Sequence, residues 1–164
     1  MKKILIGDGG MGSELRFRGV EVPSHIESIW SALALTTNTK EIKEIHLDYI
    51  EAGAQYITAN NYTVTRPILE RADMADQLED LTLLSISIAK EAIKESGKDI
   101  QLATSLPPLE TSYRADLVLD RSMLEDQYAE MVGIIEGKTD IIICETMAHS
   151  PVSYTHLRAH ETRH

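Results

Sequence analysis

The chain has 164 residues, 43% of them hydrophobic and 26% charged, a balance that fits one globular domain and excludes a disordered or collagen-like chain. A single cysteine excludes a disulfide scaffold, and no apolar run approaches the roughly 18 residues a membrane helix needs. With 16 basic and 26 acidic residues the formal net charge is -10, so long-range attraction to nucleic acid or an anionic membrane is absent. The opening Met1-Lys2-Lys3-Ile4-Leu5-Ile6-Gly7-Asp8 turns acidic after three apolar residues, too soon for a signal-peptide core. A cytoplasmic protein is expected.

In chain order, Lys3-Ile4-Leu5-Ile6 is expected to be a strand that runs into the turn Gly7-Asp8-Gly9-Gly10. Asn38 with Glu41 reads as a capping box for a helix with the stripe Ile42, Ile45, Tyr49 and Ile50, closed by Gly53. A second strand, 54–58, ends in Ala59-Asn60-Asn61-Tyr62. A helical stretch over about 68–96, in two pieces, stops before Gly97. A third strand, 100–104, ends in Ser105-Leu106-Pro107-Pro108. Ser122 with Glu125 reads as the box of a helix carrying Leu124, Tyr128, Met131, Val132 and Ile135, with Gly137 at its end. A fourth strand, 140–144, ends in Glu145-Thr146. Each strand is a short apolar run of the kind buried on both faces, with small or polar residues at its C-terminal end.

Strand and helix thus alternate four times, which is parallel α/β architecture. Strand centres at Ile6, Ile57, Leu102 and Ile142 lie 51, 45 and 40 residues apart. At that pitch an eight-stranded barrel needs about 300 residues, and a five-stranded doubly wound sheet lacks its fifth strand. The expectation is the N-terminal half of a (β/α)8 barrel, about four βα units, over residues 1–151.

Residues 152–164 read differently. His156, His160 and His164 share one helix face, the spacing that can hold zinc. The plainer reading is that 152–162 resembles a one-frame translation of a transposon-type sequencing-library adapter, which makes the tail non-native and sets it outside fold reasoning. Without its Arg158, Arg163 and Glu161 the remainder carries 14 basic and 25 acidic residues and stays acidic.

Gly7-Asp8-Gly9-Gly10-Met11-Gly12 formally satisfies the dinucleotide fingerprint, but the next strand comes about fifty residues later and ends in Asn60-Asn61 instead of an acid for the ribose. A tight strand-to-helix turn explains these glycines, and it brings bare N–H groups and the Asp8 carboxylate near a small ligand.

The segment Asp8-Gly9-Gly10-Met11-Gly12-Ser13-Glu14-Leu15 resembles the opening of the homocysteine S-methyltransferase family. So, in order, do His46-Leu47-Asp48-Tyr49-Ile50-Glu51-Ala52-Gly53-Ala54, Ile57-Thr58-Ala59-Asn60-Asn61-Tyr62, Ser105-Leu106-Pro107-Pro108-Leu109 with Ser112-Tyr113-Arg114, and Cys144-Glu145-Thr146-Met147. The resemblance covers about residues 1–150. It implies methyl transfer from a small donor to the sulfur of homocysteine, giving methionine. Betaine, S-methylmethionine, S-adenosylmethionine and methylfolate remain open as donors.

It also implies zinc, held by three cysteines of the C-terminal half, because a coordinated thiol is a thiolate at neutral pH. None of those cysteines occurs in this chain, so no metal ligand is assigned here. By strand alternation Cys144 faces the helices if Glu145 faces the mouth. Asp8, the Gly9 backbone and Glu145 match the positions that hold the amino-acid end of homocysteine. Asn60 is a further substrate-binding candidate, since either Asn60 or Asn61 can reach substrate while the other satisfies loop backbone. His46 reads as a packed or half-exposed helix residue and not a base, His25 is left without a role, and Tyr113 and Arg114 either shape the mouth or pin their loop. A non-catalytic half-barrel assembly module and a fragment of an unrelated barrel enzyme are the competing readings.

Overall fold

The computed structural model describes residues 4–23, 29–110 and 119–147. His25, Ser112, Tyr113, Arg114 and the 152–164 tail lie outside them.

Three strands, β1 (Tyr56–Thr58), β2 (Gln101–Leu106) and β3 (Ile141–Cys144), form a parallel sheet in sequential order. Ile57 lies opposite Leu102, Thr104 opposite Ile142 and Leu106 opposite Cys144. The α/β architecture and three of the four expected strands are therefore present.

The first expected strand is not formed over residues 4–6. One parallel bridge joins Gly7 to Tyr56, Gln55 N–H donates to the Ile6 carbonyl at 2.7 Å, and Ile6 N–H donates to the Gln55 side-chain oxygen at 3.1 Å. The physical reason is a shortage of partners. The segment has one neighbour, β1 is three residues long, and Ile4 and Ile6 stay 85% and 61% exposed, so no described layer covers them.

Among the described residues six α-helices accompany the sheet: α1 (Met11–Phe17), α2 (Ala34–Thr37), α3 (Thr39–Glu51), α4 (Arg66–Arg71), α5 (Leu78–Ser96) and α6 (Arg121–Ile135). The two expected helical pieces of 68–96 are α4 and α5, and Gly97 caps α5 in the left-handed conformation at φ 63°. In α6 the five buried residues are the predicted stripe, Leu124, Tyr128, Met131, Val132 and Ile135. Neither capping box is made. The Asn38 oxygen accepts from the Thr37 hydroxyl at 2.7 Å instead of from a helix N–H. Ser122 lies inside the first turn of α6 behind Asp120, while Glu125 takes an i, i+4 bond from Arg121 at 2.8 Å.

The core has two parts. Strand residues Ile57, Leu102 and Leu106 pack against Ile86, Ala89, Tyr128 and Val132 of α5 and α6. Leu15, Leu35, Ile42, Leu69 and Leu81 join α1 to α5 on the other side of α3. Each fully buried Leu or Ile contributes about 1.5–3 kcal/mol. The exposed pairs Lys43–Glu95 (3.0 Å) and Lys98–Glu51 (2.7 Å) register α3 on α5 and add little to that.

His46 is fully buried in α3, and neither ring nitrogen has a hydrogen-bond partner among the described residues. It is a packed residue, one of the two placements its position beside the stripe left open. Burial pulls its pKa from 6.5 down to about 4, because an imidazolium there loses its solvent. The unfolded chain therefore takes up this proton near pH 6.5 and the folded chain only near pH 4. Stability held above pH 6.5 drains away as pH falls across that window. A loss on the order of 3 kcal/mol between pH 7 and pH 4 is expected from this residue. Denaturant unfolding at stepped pH should show a shallower acid slope for His46→Leu; an unchanged slope would refute the assignment.

Candidate functional site

Side-chain parity decides what reaches the mouth of the sheet. Ile57, Leu102, Leu106, Ile142 and Cys144 belong to the helix-side cluster, so the residues between them face the other way. On that side lies a cleft of about 680 Å³ at the C-terminal ends of the strands, lined by Asp8, Gly9, Thr58, Asn60, Ile143 and Glu145 among others. All four residues singled out as substrate-binding thus meet at one cleft, at the strand end where barrel enzymes work.

Asp8 stands on the turn between the Gly7 bridge and α1. Its two oxygens accept separate bonds from one residue: Thr58 N–H to Oδ2 at 2.7 Å and the Thr58 hydroxyl to Oδ1 at 3.0 Å. Burial raises the Asp8 pKa above the ordinary carboxylate value; the two Thr58 bonds oppose that rise, and the nearby charge of Glu145 adds to it. Glu145 itself is half-buried and has no ion-pair partner among the described residues. The following Thr146 has φ 56°, a costly conformation for a β-branched residue, and it also lines the cleft.

The cations near the cleft are occupied. Arg16 donates to the Val22 carbonyl at 3.2 and 3.3 Å, and Arg71 pairs with Glu110. Asp8 and Glu145 form an acidic corner; Arg16 lines the same cleft, but no ion pair joins it to either acid among the described residues.

The two asparagines separate cleanly. The Asn61 amide, fully buried, accepts from Ser105 N–H at 3.1 Å and donates to the Ser105 carbonyl at 2.9 Å, so it is the one that satisfies backbone. Asn60 lines the cleft. Its Nδ2 donates to the Ser31 carbonyl at 2.8 Å, and its Oδ1 has no partner among the described residues. Apolar side chains also line the cleft: Met11, Ile68 and an edge-on pair of Trp30 and Tyr62 with ring centroids 6.0 Å apart at 74°.

Sequence reading left Thr58 and Trp30 without a role. For Thr58 a signal was present, because it shares strand parity with the cleft residue Asn60. The position of Trp30 depends on the fold of the long first connection and had no local signal.

The zinc chemistry implied by the family does not fit the residues here. Among the described residues no three His, Cys, Asp or Glu side chains converge so as to hold a metal ion. Cys144 packs on the helix side, as alternation predicted, and burial raises its thiol pKa, which disfavours the thiolate.

The glycine turn is shaped by rings packed against it. A Cβ on Gly9 would lie 2.7 Å from the Tyr49 hydroxyl oxygen, and one on Gly12 would lie 2.6 Å from the Trp30 ring. At Gly10 the nearest atom is the Ser13 hydroxyl at 3.4 Å. Trp30 is the chain's single tryptophan, so its emission reports this contact alone. Gly12→Ala should push the indole outward and red-shift the emission, while Gly10→Ala should leave it unchanged. Identical spectra for Gly12→Ala and the unaltered chain would show that the ring does not rest on Gly12.

Residues 5–155 match the family model described as homocysteine S-methyltransferase. The chain is 29% identical over 159 residues to the homocysteine S-methyltransferase of Escherichia coli K12, covering 88% of this chain and 50% of that one. It is 35% identical over 92 residues to homocysteine S-methyltransferase 1 of maize, covering 56% and 28%. The crystal structure of the Escherichia coli homocysteine methyltransferase MmuM in its metallated form superposes with a TM-score of 0.82 at 25% identity, covering 98% of this chain and 60% of that one. The oxidised form of the same enzyme gives 0.85. This chain spans half or less of the length of these curated relatives. With the family model matched over nearly its whole length, the chain belongs to the homocysteine S-methyltransferase family.

Proposed function

We propose that these residues form the homocysteine-binding, N-terminal half of a (β/α)8-barrel methyltransferase that methylates the sulfur of homocysteine to give methionine. The observation that carries the reading is the acidic corner. Two carboxylates, Asp8 and Glu145, come from opposite ends of the described sheet to one cleft, and neither has an ion-pair partner among the described residues. An ammonium group answers that charge pattern, and a charge-assisted bond to it is the strong kind.

In this reading Asp8 and Glu145 hold the homocysteine ammonium, with the free Asn60 Oδ1 as a further acceptor. Gly9, kept bare by the Tyr49 ring, offers its N–H to the carboxylate. The apolar wall of Met11, Ile68 and Trp30 accommodates the methylene chain and keeps water from it. Zinc would supply a thiolate at neutral pH; its ligands belong to a C-terminal half, and the part of this chain is to bind and orient the amino-acid end. A soluble cytoplasmic enzyme accords with the acidic composition and single cysteine. Residues 152–164 are read as a non-native tail.

In a longer parent that carries the remaining strands, Asp8→Asn or Glu145→Gln should weaken homocysteine about ten- to a hundredfold, equivalent to the loss of about 1.5–3 kcal/mol. Metal content should stay unchanged, since neither acid is read as a ligand. Calorimetric titration with homocysteine and metal analysis of the same samples test both halves of that statement. Normal binding in both variants, or loss of metal in either, would overturn the assignment.

A further inference from the structure

We propose that Thr58 is a positioning residue, which aims and ionises Asp8 by gripping both of its oxygens. The inference rests on the reading of Asp8 as an ammonium ligand, and it adds the residue that makes Asp8 competent for that role. Asp8 lies on a turn whose anchor to the sheet is a single bridge at Gly7, so the backbone alone holds the carboxylate loosely. Thr58 supplies the missing constraint. It is the last residue of β1, and its N–H and hydroxyl both reach the Asp8 carboxylate. The N–H bonds Oδ2 at 2.7 Å and the hydroxyl bonds Oδ1 at 3.0 Å, so the plane of the carboxylate is fixed by two donors on two atoms.

The grip has a chemical consequence. Both donors favour the charged carboxylate over the acid, since a protonated oxygen would have to surrender one of them. They oppose the burial and the Glu145 charge that push the other way. Without the hydroxyl, Asp8 should protonate at higher pH and turn about its side-chain bonds. Of the two donors only the hydroxyl can be removed by substitution, and valine preserves the β-branched shape of the strand residue.

The test is the titration of Asp8 in the 164-residue chain, followed by the carbon-13 shift of its side-chain carboxyl. Thr58→Val should move the midpoint to higher pH, and Thr58→Ser, which keeps the hydroxyl, should restore it. In the unaltered chain the Thr58 amide proton should titrate with the midpoint of Asp8, a readout that needs no variant to fold. An unmoved midpoint in Thr58→Val, or a Thr58 amide that ignores Asp8, overturns the proposal. In the longer parent, homocysteine affinity at pH 7 should fall about tenfold in Thr58→Val and recover in Thr58→Ser. A moved Asp8 midpoint with unchanged affinity would uphold the grip and remove the ammonium-binding role of Asp8, so the two claims fail separately.

Discussion

Parity along three parallel strands is the constraint on which everything else rests. Ile57, Leu102 and Ile142 must point to one side to build the core with α5 and α6, and that obligation turns Thr58, Ile143 and Glu145 to the other. A one-residue slip in register would bury the acid and expose the isoleucines. Apolar burial thus pins the polar site, and Ala59 and Ile68 belong to both the core and the cleft lining. The sequential order β1-β2-β3 then sets the strand ends side by side, so that one cleft collects residues separated by more than a hundred positions.

The cleft is chemically divided. One wall is acidic and partly desolvated, the other is Met, Ile and aromatic. Desolvation makes the acidic wall uncomfortable without a cation, as the raised Asp8 pKa records. A ligand that brings an ammonium group relieves that discomfort and is held more tightly for it. An apolar or anionic ligand of the same size gains nothing there. The selectivity of such a site comes as much from the unpaired charge it carries when empty as from the contacts it makes when filled.

Much of this was legible in the residues. The α3 and α6 stripes, the split between α4 and α5, and the opposed directions of Cys144 and Glu145 follow from periodicity, and those are the features that packing enforces. What failed was local and exposed. The boxes at Asn38 and Ser122 compete with other bonds of similar strength, from the Thr37 hydroxyl and from Arg121, and nothing buried arbitrates between them. The strand expected at Lys3-Ile4-Leu5-Ile6 has the right composition, but a strand needs a neighbour long enough to pair with and a layer to cover it, and composition reports neither. The Asn60 and Asn61 pair shows the same limit from within the site. Their residue types announce two amides at a strand end, and only the fold says which one meets the Ser105 backbone.

That Asn61 contact has a consequence for chemical ageing. The side chain imitates a peptide group, presenting a donor and an acceptor to the carbonyl and N–H of one residue on β2. It thereby adds a rung to the sheet beyond the last residue of β1. Hydrolysis of the amide to a carboxylate would leave the acceptor in place and set an oxygen against the Ser105 carbonyl in a fully buried position, with a negative charge and no water to screen it. A single deamidation at Asn61 would therefore strain the mouth of the sheet, and the same event at Asn60, buried as well, would set an oxygen against the Ser31 carbonyl. Two adjacent residues of one type would then age at the expense of different contacts, one to β2 and one to the first connection.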